Sequence, residues 1–114
     1  MLSPVDIAKE IERTITRLEE LTEEIRSAAI EAARAETEYR SAFSQSRLIA
    51  RASAVGKITI DQVEDIATNQ TNDLALRYRI AANSLQTLRE VLRATQSQLD
   101  GLRTLSTSHR VAGS

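Results

Sequence analysis

Leu18 to Ala42 reads LEELTEEIRSAAIEAARAETEYRSA, and its apolar residues fall at Leu18, Leu21, Ile25, Ala28, Ala32, Ala35, Tyr39 and Ala42. The steps alternate between three and four, the heptad spacing that lays one apolar stripe along a long helix. Backwards the stripe reaches Ile11 and Ile7, with a polar interruption at Thr14 where the neighbouring Ile15 is expected to take over. Forwards it reaches Ile49. A first helix is therefore expected over 4–54. Ser3 is a favourable N-cap, Pro4 suits the first helical position, and Asp6 places a carboxylate where the helix dipole favours one.

A second stripe follows at Ala67, Thr71, Leu74, Tyr78, Ala81, Leu85, Leu88, Leu92, Thr95, Leu99 and Leu102, which predicts a helix over 59–105 and leaves 106–114 as a flexible tail. Between the two lies a short break, 55–58, Val55-Gly56-Lys57-Ile58. Gly56 supplies the left-handed residue that commonly ends a helix. Thr59 and Gln62 have the spacing of a capping box, and Ile58 and Val63 that of a hydrophobic staple, so the restart is specified twice.

A connection this short makes the two helices antiparallel neighbours, and facing residues should then have position numbers with a constant sum. Ala42 with Thr71, Tyr39 with Leu74, Ala35 with Tyr78, Ala32 with Ala81, Ala28 with Leu85, Ile25 with Leu88, Leu21 with Leu92, Leu18 with Thr95 and Ile11 with Leu102 all obey one sum. The fold expected is all-α: two long helices in an antiparallel coiled-coil hairpin, a single domain. The narrow stretch of Ala28, Ala32 and Ala35 leaves room for Tyr78 and Leu85 opposite.

Charge agrees with that pairing. Residues 1–38 hold ten acidic and five basic side chains, whereas 77–110 hold six basic and two acidic, so the hairpin lays unlike halves together. Near the turn Arg40, Arg47, Arg51 and Lys57 are read as lacking acidic neighbours on the first helix, with Asp61, Glu64, Asp65 and Asp73 across from them. Exposed pairs contribute only about 0 to 1 kcal/mol each, so they select the register more than they stabilise it.

The composition excludes several classes. Tyr39, Phe43 and Tyr78 are the only aromatics, there is no cysteine, and the single histidine is His109, so disulfide frameworks and the usual zinc sets are ruled out. The charged start of the chain argues against a secretory signal, and no apolar stretch approaches membrane-spanning length, so the expected location is cytoplasmic, with no membrane partner. No nucleophile stands beside a base and no glycine loop offers to cradle a phosphate, so no catalytic residue, cofactor or metal ligand is assigned and the chain is read as not an enzyme. His109 sits in Ser106-Thr107-Ser108-His109-Arg110 and is read as a solvated tail residue. The run Glu19, Glu20, Glu23 and Glu24 is read as a solvent-facing helix surface.

Two surfaces invite partners. Arg77, Arg79, Arg89, Arg93, Arg103 and Arg110 form a basic series on the second helix, able to contact phosphates or simply to neutralise the acidic half of the first. Near-zero net charge and the scarcity of stacking aromatics favour neutralisation, and Tyr39 and Tyr78 fall on the stripe as core. A second apolar set lies off the stripe toward the turn: Ile30, Phe43, Leu48, Ile66, Leu76 and Ile80. A bare hairpin leaves these uncovered, so they are expected to form an interface, with dimerisation into a four-helix bundle or a higher oligomer as the simplest cover.

From Gly56 to Arg110 the chain also carries a resemblance. The turn, a polar stretch ending near Tyr78, the run Leu85 to Leu88, and Gln98-Leu99-Asp100-Gly101-Leu102-Arg103-Thr104-Leu105-Ser106 with Arg110 beyond resemble a loose group of small helical proteins of tailed bacteriophages. In that group a first helix with an acidic start and an aromatic near the position of Tyr39 precedes the turn. The resemblance implies a non-catalytic accessory protein encoded among phage replication and recombination genes, working in the cytoplasm of an infected bacterium. The expected function is an oligomeric helical adaptor acting through protein–protein contacts, with itself and with a phage or host replication or recombination protein. Direct DNA binding through the second-helix arginines is the alternative, as is a structural or anti-host-defence protein that occludes a partner.

Overall fold

The computed structural model describes residues 2–112. It is all-α, with α1 over Pro4–Ser53, α2 over Ile60–Gln70 and α3 over Asn72–Ala112, and two long helices pack against each other. The chain divides into two compact units, one made from α1 up to Ser27 with α3 from Gln86 onward, the other from Ala28 to Leu85.

The start of α1 is closed by a reciprocal cap. The Asp6 backbone N–H donates to Ser3 Oγ at 3.2 Å, while the Ser3 backbone N–H and hydroxyl both donate to Asp6 Oδ2, at 3.2 and 2.8 Å. Two of the otherwise orphaned N–H groups are thereby satisfied, with a carboxylate held at the positive end of the helix. In this first unit α1 buries Ile7, Thr14 and Leu21 and half-buries Ile11, Leu18 and Ile25. Opposite them α3 buries Thr95 and Leu99 and half-buries Leu88, Leu92, Leu102, Ser106 and His109. The stripe is the one the spacing predicts, carried two steps further. An open groove lined by Pro4, Ile7, Ser106, His109 and Arg110, and another by Thr14, Arg17, Thr95 and Gln98, place these stretches side by side in antiparallel order.

Two expectations change here. Thr14 stays buried and Ile15 does not replace it, being 37% exposed. The physical reason is that the Thr14 hydroxyl donates to the Glu10 carbonyl at 2.7 Å, so the polar atom needs nothing from the facing helix. Thr71 and Thr95 use the same device, donating to the carbonyls of Ala67 and Val91 at 2.7 and 2.8 Å. The second change is the tail: residues 106–112 are helical, and only 113–114 of the expected flexible segment lie outside the described residues. No Gly or Pro lies between Gly101 and Gly113, and Ser106 and His109 continue the alternation of three and four, so the last turns have a neighbour to lie on.

In the second unit α1 buries Ala32, Ala35 and Ala50, and α2 buries Val63 and Ala67, with Thr71 buried beside them. The Tyr39 and Tyr78 rings stack with centroids 6.1 Å apart and planes inclined by 19°, and Phe43 leans on Tyr39 at 6.0 Å. Arg77 reaches Glu38 at 3.4 Å and Arg47 reaches Glu64 at 3.0 Å, so positions rise on one side as they fall on the other. The stripe departs from expectation past Ala42. It runs through Ser46 and Ala50, and Ile49 is 54% exposed. In the register of the other pairs Ser46 stands opposite Ala67 and Ala50 opposite Val63, so small residues let the helices close just before the turn.

Gly56 adopts a φ of +92°, which an L side chain resists, and ends the α1 side of the turn. Thr59 then caps α2: its Oγ1 accepts from the Gln62 N–H at 3.1 Å while Gln62 Oε1 accepts from the Thr59 N–H at 3.0 Å. Val63 is buried and Ile58 half-buried, as the staple requires. What the periodicity did not reveal is a break in the returning helix at Thr71, whose φ and ψ are −109° and 13°. The Thr71 hydroxyl and N–H both bond the Ala67 carbonyl, and such side-chain back-bonding bends helices.

Three outcomes check this arrangement. Cysteines at positions 32 and 81 should crosslink within one chain, and crosslinking only between chains would mean that the helices pair across copies. Thr59→Ala should cost about 1 kcal/mol of unfolding free energy, the usual loss for an N-cap. Gly101→Ala should add about 0.5 to 1 kcal/mol, because a methyl at Gly101 meets no atom within 4 Å and the helical backbone gains stiffness. Denaturant midpoints moving in opposite directions for these two variants are the expected reading.

Candidate functional site

Among the described residues no group of three His, Cys, Asp or Glu side chains is placed to hold a metal ion. The four glutamates at 19–24 are largely engaged along their own helix: Arg17 contacts Glu20 and Glu24 at 3.3 and 3.2 Å, and Arg26 contacts Glu23 at 3.9 Å. Hydrogen bonds that Arg17 donates to Glu24 and then to Glu20 hold its guanidinium above its ordinary pKa. His109 is half-buried on the stripe and lines the groove beside Pro4 and Ile7, which corrects its reading as a solvated tail residue. Arg40 likewise differs from expectation. Its Nε bonds Glu36 on the same helix at 2.9 Å, and that carboxylate, with a smaller effect from Tyr78, raises its pKa.

The second-helix arginines separate by position relative to the stripe. Arg77 precedes Tyr78 and meets Glu38, which precedes Tyr39, on one edge of the pair. Arg89, Arg93, Arg103 and Arg110 each follow a stripe residue and so share the other edge of α3 within the first unit, and Arg79 follows Tyr78 on the corresponding edge within the second. None of these five makes an ion pair among the described residues. Glu12 and Glu19, which follow Ile11 and Leu18 on the corresponding edge of α1, are also without an ion pair. The neutralisation expected between helices is thus realised as contact only at Glu38–Arg77 and Arg47–Glu64.

The off-stripe apolar residues are not brought to one face. Phe43 is half-buried, packed on Tyr39 and covered by the Arg47 guanidinium 5.8 Å from its ring centre. Arg47 Nε is itself buried, and although Glu64 lies 3.0 Å away the angle is wrong for a hydrogen bond, so the contact is an ion pair alone. Ile30 stands midway between stripe residues Ala28 and Ala32 and projects away from α3, whereas Leu76, midway between Leu74 and Tyr78, projects away from α1. Those two therefore point in opposite directions, with Ile80 on the side of Leu76.

Exposed apolar side chains concentrate instead at the turn. Leu48, Ile49, Ile60 and Ile66 are exposed there at 64, 54, 71 and 37%, and Val55 is wholly exposed. Val55 and Ile66 also line an open groove of about 430 Å³, together with Ala54, Lys57, Ile58, Gln62 and Asp65. Leu48 and Ile66 belong to the set named from the sequence, while Ile49, Val55 and Ile60 were missed. The signal was available in the four-residue steps Ala42, Ser46, Ala50 and Ala54, a small-residue stripe that turns Ile49 outward.

At the opposite end of α1 the cap makes a pH prediction. The Ser3 hydroxyl and then its backbone N–H hold the Asp6 carboxyl below its ordinary pKa. A depressed carboxylate pKa contributes stability that is present above the ordinary carboxylate range and lost as pH falls through the lowered value. The NMR titration midpoint of Asp6 should therefore lie below that of a free aspartate and move back upward in Ser3→Ala.

In comparisons with known proteins the chain matches no family model, no curated protein and no solved structure.

Proposed function

We propose that this chain is a non-catalytic adaptor that works through protein–protein contacts, including contacts with further copies of itself. The observation that carries the reading is the cluster of exposed apolar side chains at the turn: Leu48, Ile49, Val55, Ile60 and Ile66. Monomeric proteins rarely leave such a patch in water, since each aliphatic side chain there forgoes roughly 1.5 to 3 kcal/mol of burial. A heptad stripe of the coiled-coil type gives a stiff carrier for that patch, as an adaptor needs. The resemblance of Gly56 to Arg110 to small helical phage proteins supports a place in the replication and recombination module of a tailed bacteriophage, in the cytoplasm of its host.

A second reading has its own support. Arg89, Arg93, Arg103 and Arg110 lie along one edge of α3 in the first unit without ion pairs among the described residues, as a phosphate-contacting row would. Fluorescence anisotropy with labelled single-stranded and duplex oligonucleotides separates the two. The adaptor should bind neither appreciably at physiological salt. A chain whose affinity is high at low salt, falls steeply as salt rises, and loses slope when Arg93 and Arg103 become Gln is a DNA binder, and the adaptor reading fails.

A further inference from the structure

We infer that the turn end, residues 48–66, is the surface on which two copies of this chain meet, related by a two-fold axis that sets Lys57 of each against Asp65 of the other. The inference rests on the adaptor reading in taking self-association as its premise, and it adds where the contact lies and what aligns it. A two-fold contact uses the same patch on both copies, so the patch must be complementary to itself. The turn end has the two properties this demands. It offers both projections and a recess: Val55 and Ile60 stand out into water, and the groove of about 430 Å³ opens beside them between Ala54, Ile58 and Ile66. It also carries balanced charge, because Lys57 and Asp65 line the same groove and neither is in an ion pair among the described residues.

A patch of one sign would repel its own copy. Here rotation about a two-fold axis brings unlike charges together twice, at the rim of an apolar centre, which is the anatomy of a specific interface. Arg51 and Asp61, also without ion pairs and flanking the same turn, extend the pattern outward. The neighbouring Arg47–Glu64 pair is already made within the chain.

Light scattering and circular dichroism on the full chain and its variants test this. The wild type should have the mass of a dimer or an even multiple. Val55→Asp and Ile60→Asp should each lower that mass by half while helicity persists, and Ile80→Asp, outside the turn, should leave it unchanged. Lys57→Asp and Asp65→Lys should each weaken self-association, and the double exchange K57D/D65K should restore it, an effect that a purely structural role for either residue does not produce. A wild-type chain that stays monomeric overturns both the inference and the self-association in the adaptor reading, leaving the turn to a different protein. A dimer that survives Val55→Asp and Ile60→Asp, or is lost in Ile80→Asp, overturns the location while the adaptor reading stands.

Discussion

Everything in this fold depends on keeping one narrow apolar stripe per helix covered by the other. A helix of 50 residues such as α1 has no independent reason to persist in water, since its propensity is spread among Ala, Glu, Arg and a scatter of β-branched residues. What holds it is the alternation of three and four that keeps Ile7, Leu21, Ala32 and Ala35 turned to the same side, where α3 meets them. The stripe is thin, with fully buried large side chains only at Ile7, Leu21 and Val63 among the described residues. Stability is therefore distributed over many half-buried contacts, and the stacked tyrosines at 39 and 78 are the broadest of them.

Polar groups are fitted around this constraint at little cost. The three buried threonines in the stripe turn their hydroxyls onto their own helix, so burial leaves none of these oxygens without a partner. Ion pairs are mostly local, along one helix, and their exposure limits each to about 0 to 1 kcal/mol. Two of them cross between helices, and only Arg47–Glu64 is aided by an aromatic contact. Side-chain size, Ala against Tyr or Leu, and these two ion pairs agree on one register.

The parts legible in the sequence were those governed by spacing. The stripe from Ile11 to Ala42, its counterpart from Ala67 to Leu102, Gly56 in the turn and the box at Thr59 are all local rules with fixed offsets, and each lies where the spacing places it. The failures occurred where two rules compete. At Ile49 and Ala50, hydrophobicity favoured one residue and close approach the other, and close approach won. At Thr71 a stripe residue also bends the backbone, which periodicity cannot register. The candidate site was half legible for the same reason: Leu48 and Ile66 are apolar at outward positions, but Val55 and Ile60 belong to a turn, where heptad arithmetic has no meaning.

The break at Thr71 has a consequence for how the molecule opens. It leaves α2 as an 11-residue segment, shorter than a helix needs to survive by itself. That segment is tied down at its start by the Thr59–Gln62 box and along one side by Val63 and Ala67, and beyond Thr71 a separate helix begins. The peptide groups of 60–70 stay tied to α3 by the Thr71 N–H to Ala67 carbonyl and Ala75 N–H to Thr71 carbonyl bonds, so this block is expected to exchange its amide protons from the turn end inward. Of the exposed apolar side chains at the turn, Ile60 and Ile66 are carried on this segment. A bound neighbour at the turn would be read out as slowed exchange in that block alone.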